Sequence, residues 1–234
     1  MSNYLDYLNK ISSSKTFLRK VNYIKYNFGK YLTFKNPAQV NILEIGPGLG
    51  EALSYLNSNG FNNIDVVDND QNILDNIHNK HKVRTLFKAD NLADINAQLT
   101  SYEIIIATQL LEHLPKDSYI LFLEILFKHL KKDGRIIITV PNMANPFTIC
   151  ERYADITHTN GFTDNSLREL ANQCDIPDTK VEIQEFNIPP YSFLNIIRII
   201  LQKILHFFIL VLSIVNGGSY SKLLTPNITM VIKK

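Results

Sequence analysis

From Lys15 to Leu32 the apolar residues Phe17, Val21, Ile24, Phe28 and Tyr31/Leu32 recur at spacings of three and four. That period predicts an amphipathic helix, and the residues on its other face are basic. After Asn36-Pro37 the pattern changes to short apolar runs alternating with helical segments. Strands are expected near 40–45, 63–67, 83–88, 103–108, 135–140, 180–188 and 227–233, and helices near 50–59, 71–80, 117–131 and 163–174. Alternating strand and helix implies right-handed crossovers and a mainly parallel sheet covered on both faces. The run "RIIITV" (135–140) is unbroken after Arg135, as a central parallel strand should be. No internal repeat or low-complexity linker divides the chain. One α/β domain is expected: a basic helical region over 1–36, a core over 38–188, an apolar insertion over 189–226 and a last strand over 227–234.

The insertion contains "FLNIIRIILQKILHFFILVLSIV", 23 residues of which 17 are apolar. As a helix it would be about 35 Å long, enough to cross a bilayer. Arg198 and Lys203 lie inside it, each costing about 2.5–3.5 kcal/mol at a membrane centre. Asn195, Arg198, Gln202 and His206 follow one another at spacings of three and four and form a polar stripe, which favours a helix lying in the membrane interface or a hairpin dipping into it. A helix buried against the domain or in a dimer interface is the other reading.

Charge sharpens this picture. The 234 residues carry a formal net charge of +2, unevenly spread. Seven basic residues and no acid lie between Tyr7 and Leu43, and five basic residues and no acid between Phe186 and Lys234. Basic ends flanking an acidic middle suggest an anionic partner, either a membrane surface or a nucleic acid. Two cysteines, Cys150 and Cys174, make no disulfide framework, and no signal peptide is visible, so a cytoplasmic protein with free thiols is expected.

The stretch "VNILEIGPGLGEALSYL" (40–56) runs from an apolar strand through Gly46, Gly48 and Gly50 into a helical pattern. A dinucleotide fingerprint would need its third glycine at position 51, which is Glu51. A carboxylate at a helix N-terminus repels phosphate. No Gly-Lys-Ser/Thr follows, so a P-loop is excluded as well. Further along, "VVDND" ends the second strand, "FKADN" the third and "IIIATQLLEHLP" the fourth, and "LKKDGRIIITVPN" carries the chain through a glycine turn into the fifth.

With Glu44 inside "LEIGPGLG", this order over roughly residues 38–175 resembles the class I S-adenosylmethionine (SAM)-dependent methyltransferases. The resemblance implies a Rossmann-like seven-stranded sheet, mainly parallel with its last strand antiparallel, and SAM as cofactor. It places Gly46, Gly48 and Gly50 beside the methionine part, Asp68 (with Asn69) on the ribose hydroxyls, and Asp90 with Asn91 at the adenine. Gln109 and Glu112 would lie near the sulfonium and the acceptor. Asp68 read alone could be a turn-forming acid, Asp90 a helix cap and Glu112 a surface acid. The ligand chemistry agrees with the resemblance, because SAM has no phosphate and is cationic at sulfur and at its α-amino group. In this family the sheet usually closes with strand six and an antiparallel strand seven, so a single membrane crossing between them would leave the last strand on the wrong side. The expectation is peripheral attachment to anionic lipid at the inner face of the membrane.

A hydroxyl acceptor benefits from a general base, for which histidine is suited. His78, His81 and His129 fall on outer helices and His206 in the tail. His158 in "YADITHTNGFT", with Asp155 placed to orient it, and His113 in "LLEHLP" are the catalytic candidates, although either could instead cap an element or fasten a loop. No tight metal-ligand spacing or CxxC occurs along the chain, and no metal is expected. The "EHLP" and "DITHTNGFT" stretches look most like small-molecule O-methyltransferases, including those of surface-polysaccharide and quinone biosynthesis. A lipid-linked sugar hydroxyl is the first expected acceptor and a quinone precursor the second. RNA is disfavoured: the basic helix carries Tyr23, Tyr26 and Tyr31, but no N/D-PPY-type motif follows strand four. A non-catalytic assembly partner is the remaining class. Neither the acceptor nor the oligomeric state follows from the sequence.

Overall fold

The computed structural model describes residues 4–217 and 220–234. Seven strands form one sheet: β1 (Ile42–Ile45), β2 (Ile64–Asp68), β3 (Thr85–Lys88), β4 (Tyr102–Thr108), β5 (Leu130–Pro141), β6 (Val181–Phe186) and β7 (Asn227–Lys233). Their spatial order is β3-β2-β1-β4-β5-β7-β6. The first five are joined by parallel pairings, and β7 is antiparallel to both β5 and β6. The expected sheet is therefore present, with β7 lying between its two partners.

Both faces are covered, which explains the unbroken apolar runs. Along β4 the residues Ile105 and Ala107 join one core while Ile104 and Ile106 join the other, and β5 divides Ile136, Ile138 and Val140 from Ile137 in the same way. Helices α6 (Tyr119–His129) and α8 (Asp164–Gln173) cover the first face, and α2 (Ser14–Phe28), α3 (Glu51–Ser58) and α4 (Gln71–Lys80) the second. Ile24, Phe28, Tyr31 and Leu32 are buried, so the amphipathic stretch packs into this second core. Ser13 caps α2 by accepting from the Thr16 amide, and Thr163 caps α8 in a reciprocal box with Ser166. Asp65 is buried at the sheet and takes two hydrogen bonds from Arg84 and one from the Tyr102 hydroxyl at 2.9 Å.

Helix α1 (Tyr4–Ile11) falls in the helical region expected over 1–36, whereas two short helices, α5 (Leu92–Ile95) and α7 (Ile149–Ala154), were not anticipated from the pattern. The fifth strand starts at Leu130 rather than 135. Asp133 turns left-handed (φ 62°) and Gly134 fits between the Lys131 and Glu103 carbonyls, so the glycine turn becomes part of the strand.

Helix α9 (Phe193–Val215) spans the whole apolar stretch, with Ser192 as its N-cap. Its polar stripe is turned inward and its apolar sides outward. Asn195 is buried and Arg198, Gln202 and His206 are half-buried, while Phe193, Leu201, Phe207, Phe208 and Leu212 are exposed. The polar stripe is covered, with Arg198 donating to Gln202 at 3.0 Å, and the apolar sides face outward. Burial against the domain does not describe its apolar side chains, and of that reading only the dimer interface remains beside the membrane.

Candidate active site

The chain reverses its winding between β1 and β4, and a cleft of about 840 Å³ opens at the carboxyl ends of the central strands. Leu8, Lys20, Tyr23 and Ile24 of the N-terminal helices supply one wall. Lys20 is held there by Glu51 at 3.2 Å.

The glycine loop follows from backbone geometry. Gly46, Gly48 and Gly50 have φ of 67°, 56° and 88°, values that L side chains rarely adopt. The Gly46 amide donates to Val67 at 2.9 Å and the Gly50 amide to Pro47 at 2.9 Å, which ties the loop to β2 and closes the turn. Open space surrounds the Cβ position of Gly48, whereas that of Gly50 is taken by the His81 imidazole. His81, expected on an outer surface, is thus half-buried beneath the loop. Nothing in its sequence setting, after Lys80 at a helix end, signals this role.

Glu44, the next-to-last residue of β1, is 2 % exposed yet forms part of the cleft wall. Its Oε2 has no hydrogen-bond partner, and burial, with a smaller push from Glu51, raises its carboxyl to about 8. A buried carboxylate without a partner is costly unless a proton or a cation compensates it. Asp68 at the end of β2 keeps one oxygen on the Asp70 amide at 2.8 Å, and burial raises its pKa as well. Asn69, Asp90 and Asn91 line the same cleft. Asn91, rather than Asp90, caps the following helix, accepting from the Ala93 amide at 3.0 Å, so its carbonyl oxygen is already used. This donor set suits a cationic ligand bearing hydroxyls and amines, and contains no anion trap. SAM has that chemistry.

At the mouth of β4, Gln109 adopts a left-handed conformation (φ 52°). Its amide donates to Thr139 at 2.8 Å and its side chain to Asn227 at 3.3 Å, which directs the strand end into the cleft wall. Glu112 departs from expectation. It is 1 % exposed, neither carboxylate oxygen has a hydrogen-bond partner, and it stands behind the cleft wall rather than in it. Burial, with the nearby Asp155 and Glu151 charges, raises its carboxyl to about 8.

His113 does line the cleft, and His158 stands behind it with ring centroids 4.7 Å apart and planes inclined by 62°. The two histidines, 45 positions apart, are brought together because the Thr159 amide donates to the Glu112 carbonyl at 2.8 Å and the Thr159 hydroxyl to Leu114 at 2.6 Å. Asp155 does not orient His158 through its carboxylate. Its Oδ1 accepts from the Thr157 amide and hydroxyl at 2.9 and 2.6 Å, and Thr157 Oγ1 lies 2.8 Å from His113 Nδ1. The acid therefore acts on His113, through a threonine the sequence reading passed over. Burial, then the neighbouring His158, lowers the pKa of His113. Of the remaining histidines, His129 is not solvent-side: its ring nitrogens meet the Thr100 carbonyl at 2.7 Å and Asn96 at 2.8 Å.

Comparison with known proteins gives a consistent result. Residues 17–187 match a family described as a methyltransferase domain. No curated protein matches the sequence. Among solved structures, a SAM-dependent methyltransferase from Archaeoglobus fulgidus is 18 % identical with a TM-score of 0.67, over 100 % of both chains. The plantazolicin methyltransferase in complex with a substrate analogue and S-adenosylhomocysteine (SAH) is 19 % identical with a TM-score of 0.60, covering 98 % of this chain and 88 % of that one. Magnesium protoporphyrin IX methyltransferase from Synechocystis with bound SAH is 12 % identical with a TM-score of 0.54, over 100 % of this chain and 89 % of that one.

Proposed function

The chain belongs to the methyltransferase-domain family of class I SAM-dependent enzymes, and on that premise we propose that it methylates a hydroxyl of a membrane-associated small molecule or lipid-linked sugar. Its cofactor is SAM, which supplies a methyl group on a positively charged sulfur. Glu44 provides the negative charge that a cationic ligand needs near the end of β1. The left-handed glycines let the backbone approach closely, and Asp68 offers its carboxylate to hydroxyl donors. Asn69, Asp90 and Gln109 line the same cleft. His113 and His158 are the groups to which an acceptor proton would pass. His113 is the nearer, since it is the one in the cleft wall. Alignment of acceptor and methyl carbon does much of the remaining work in such a displacement.

The observation that supports a membrane-associated acceptor is α9, which turns its apolar sides outward over 23 residues beside basic chain ends. This reading places the protein at the cytoplasmic membrane face, attached peripherally. A quinone precursor suits the same surface. RNA is less well supported: Tyr31 donates to Glu182 at 2.9 Å and Tyr23 lies in the cleft wall, which leaves only Tyr26 of the three free to stack as an exposed ring.

The test is transfer of labelled methyl from SAM into a fractionated lysate of the source cells. Label in the organic-extractable lipid or glycolipid fraction is the expected result. Label in RNA would overturn it, and no SAM or SAH binding at all would point to an assembly role.

A further inference from the structure

We propose that Glu112, His113 and His158 form a binding site for one divalent first-row transition-metal ion at the edge of the cleft. One ligand atom from each lies within 4.8 Å of the other two. An ion about 2.1 Å from each ligand holds them about 3–4 Å apart, so the three draw in by about 1 Å, within reach of side-chain rotation. Two imidazoles and one carboxylate suit zinc, iron, manganese or cobalt better than magnesium or calcium, which prefer oxygen.

Three independent features point to a cation here. The first is Glu112, buried with both oxygens unpartnered: a nearby dication offsets a charge that the protein otherwise leaves bare. The second is the tautomer of His113. Thr157 spends its hydroxyl proton on Asp155, so its oxygen must accept from His113 Nδ1, which leaves the lone pair of Nε2 available. A histidine ligand backed by a hydrogen-bonded carboxylate is how metal sites fix ring orientation, and here Thr157 relays the carboxylate. The third is His158, whose Nδ1 is buried without a partner. The backbone link from Thr159 to Glu112 already holds the two segments in register.

With three ligands from the protein, the ion keeps positions for water or for an acceptor oxygen entering past His113. That use in turnover rests on the methyltransferase reading, and in the loaded protein it would replace direct proton transfer to His113, whose Nε2 lone pair the ion takes; binding of the ion does not rest on that reading.

The chelator-stripped full-length protein is dialysed against Co²⁺ alone, without SAM, and bound cobalt and its visible absorption are measured. One Co²⁺ per chain, displaced by Zn²⁺, is expected. Glu112→Gln and His158→Ala should each weaken binding at least about tenfold, and Thr157→Val, acting through His113, about tenfold. His78→Ala, on an exposed surface, should change nothing, and melting curves identify variants that remain folded. Absent or unsaturable Co²⁺ binding, or binding unchanged in the folded variants, overturns the site. Because SAH affinity and methyl transfer are measured separately, failure of the metal site leaves the methyltransferase reading standing, and the converse also holds.

Discussion

The imidazole of His81 occupies the space that a side chain on Gly50 would need. Gly50 also sits at φ 88°, so Gly50→Ala meets both a collision and backbone strain. Stability should fall by about 1–3 kcal/mol from the strain alone, and SAH affinity with it, as read by thermal melting and titration. Adding His81→Ala removes the clash with the imidazole but leaves the Ile77 methyl at 3.0 Å and the strain, and should restore only part of the loss. Full recovery would mean that the loop tolerates the alanine backbone.

Glu44 predicts a dependence on pH with a definite sign. Its carboxyl titrates near 4.5 ordinarily and about 8 when folded, so between these values the native state holds the extra proton. Stability of the unliganded protein should therefore decline as pH rises through that window, by up to about 1.4 kcal/mol per unit from this group. A cationic ligand favours the ionised form, so affinity for SAM should rise towards pH 8, and affinity for SAH, which keeps only the α-ammonium, should rise less. Glu44→Gln should flatten both trends, by denaturation and calorimetry across pH 5.5–8.5.

Removing an imidazole should separate chemistry from cofactor binding. His158→Ala and His113→Ala are each expected to lower kcat by about 10²–10⁴ while SAH affinity stays within a few-fold. Unchanged turnover in both would remove the histidine pair from the reaction.

Asp65→Asn tests the core rather than the site. It weakens the charged hydrogen bonds that the buried Asp65 carboxylate accepts from the exposed Arg84 and from the Tyr102 hydroxyl, and should cost about 1.5–3 kcal/mol in chemical denaturation. A loss below 0.5 kcal/mol, on the order of an exposed pair, would show that Arg84 simply turns to water.

Phe207→Glu with Phe208→Glu places two charges on the outward side of α9. Co-sedimentation with anionic liposomes should be lost while the melting temperature holds. If the intact protein does not pellet either, membrane attachment fails as an explanation of that surface.

The regular elements were legible because their periods are unmixed: "RIIITV" must be covered on both sides, and Phe17 to Leu32 can serve only one. The cofactor loop was legible from three glycines and the misplaced Glu51. The rest depended on contacts that cross the chain. His81 reaches Gly50 from another helix, and Thr157 intervenes between Asp155 and His113 although His158 is the nearer histidine in sequence. Ligand spacing along the chain likewise hides the meeting of Glu112 and His113 with His158, because the turn of Thr159 onto Glu112 brings them together. The polar stripe of α9 was read correctly as a stripe, but which side the domain would cover is decided by the residues opposite it.

The position of β7 between β5 and β6 also sets an order of events during synthesis. The ribosome makes α9 before the strand that joins those two neighbours, so through that interval β5 has an open edge and β6 has no partner. The nascent chain thus displays its most apolar helix while the domain is still unfinished. A surface able to receive that helix would have its first opportunity before the enzyme exists as a folded body.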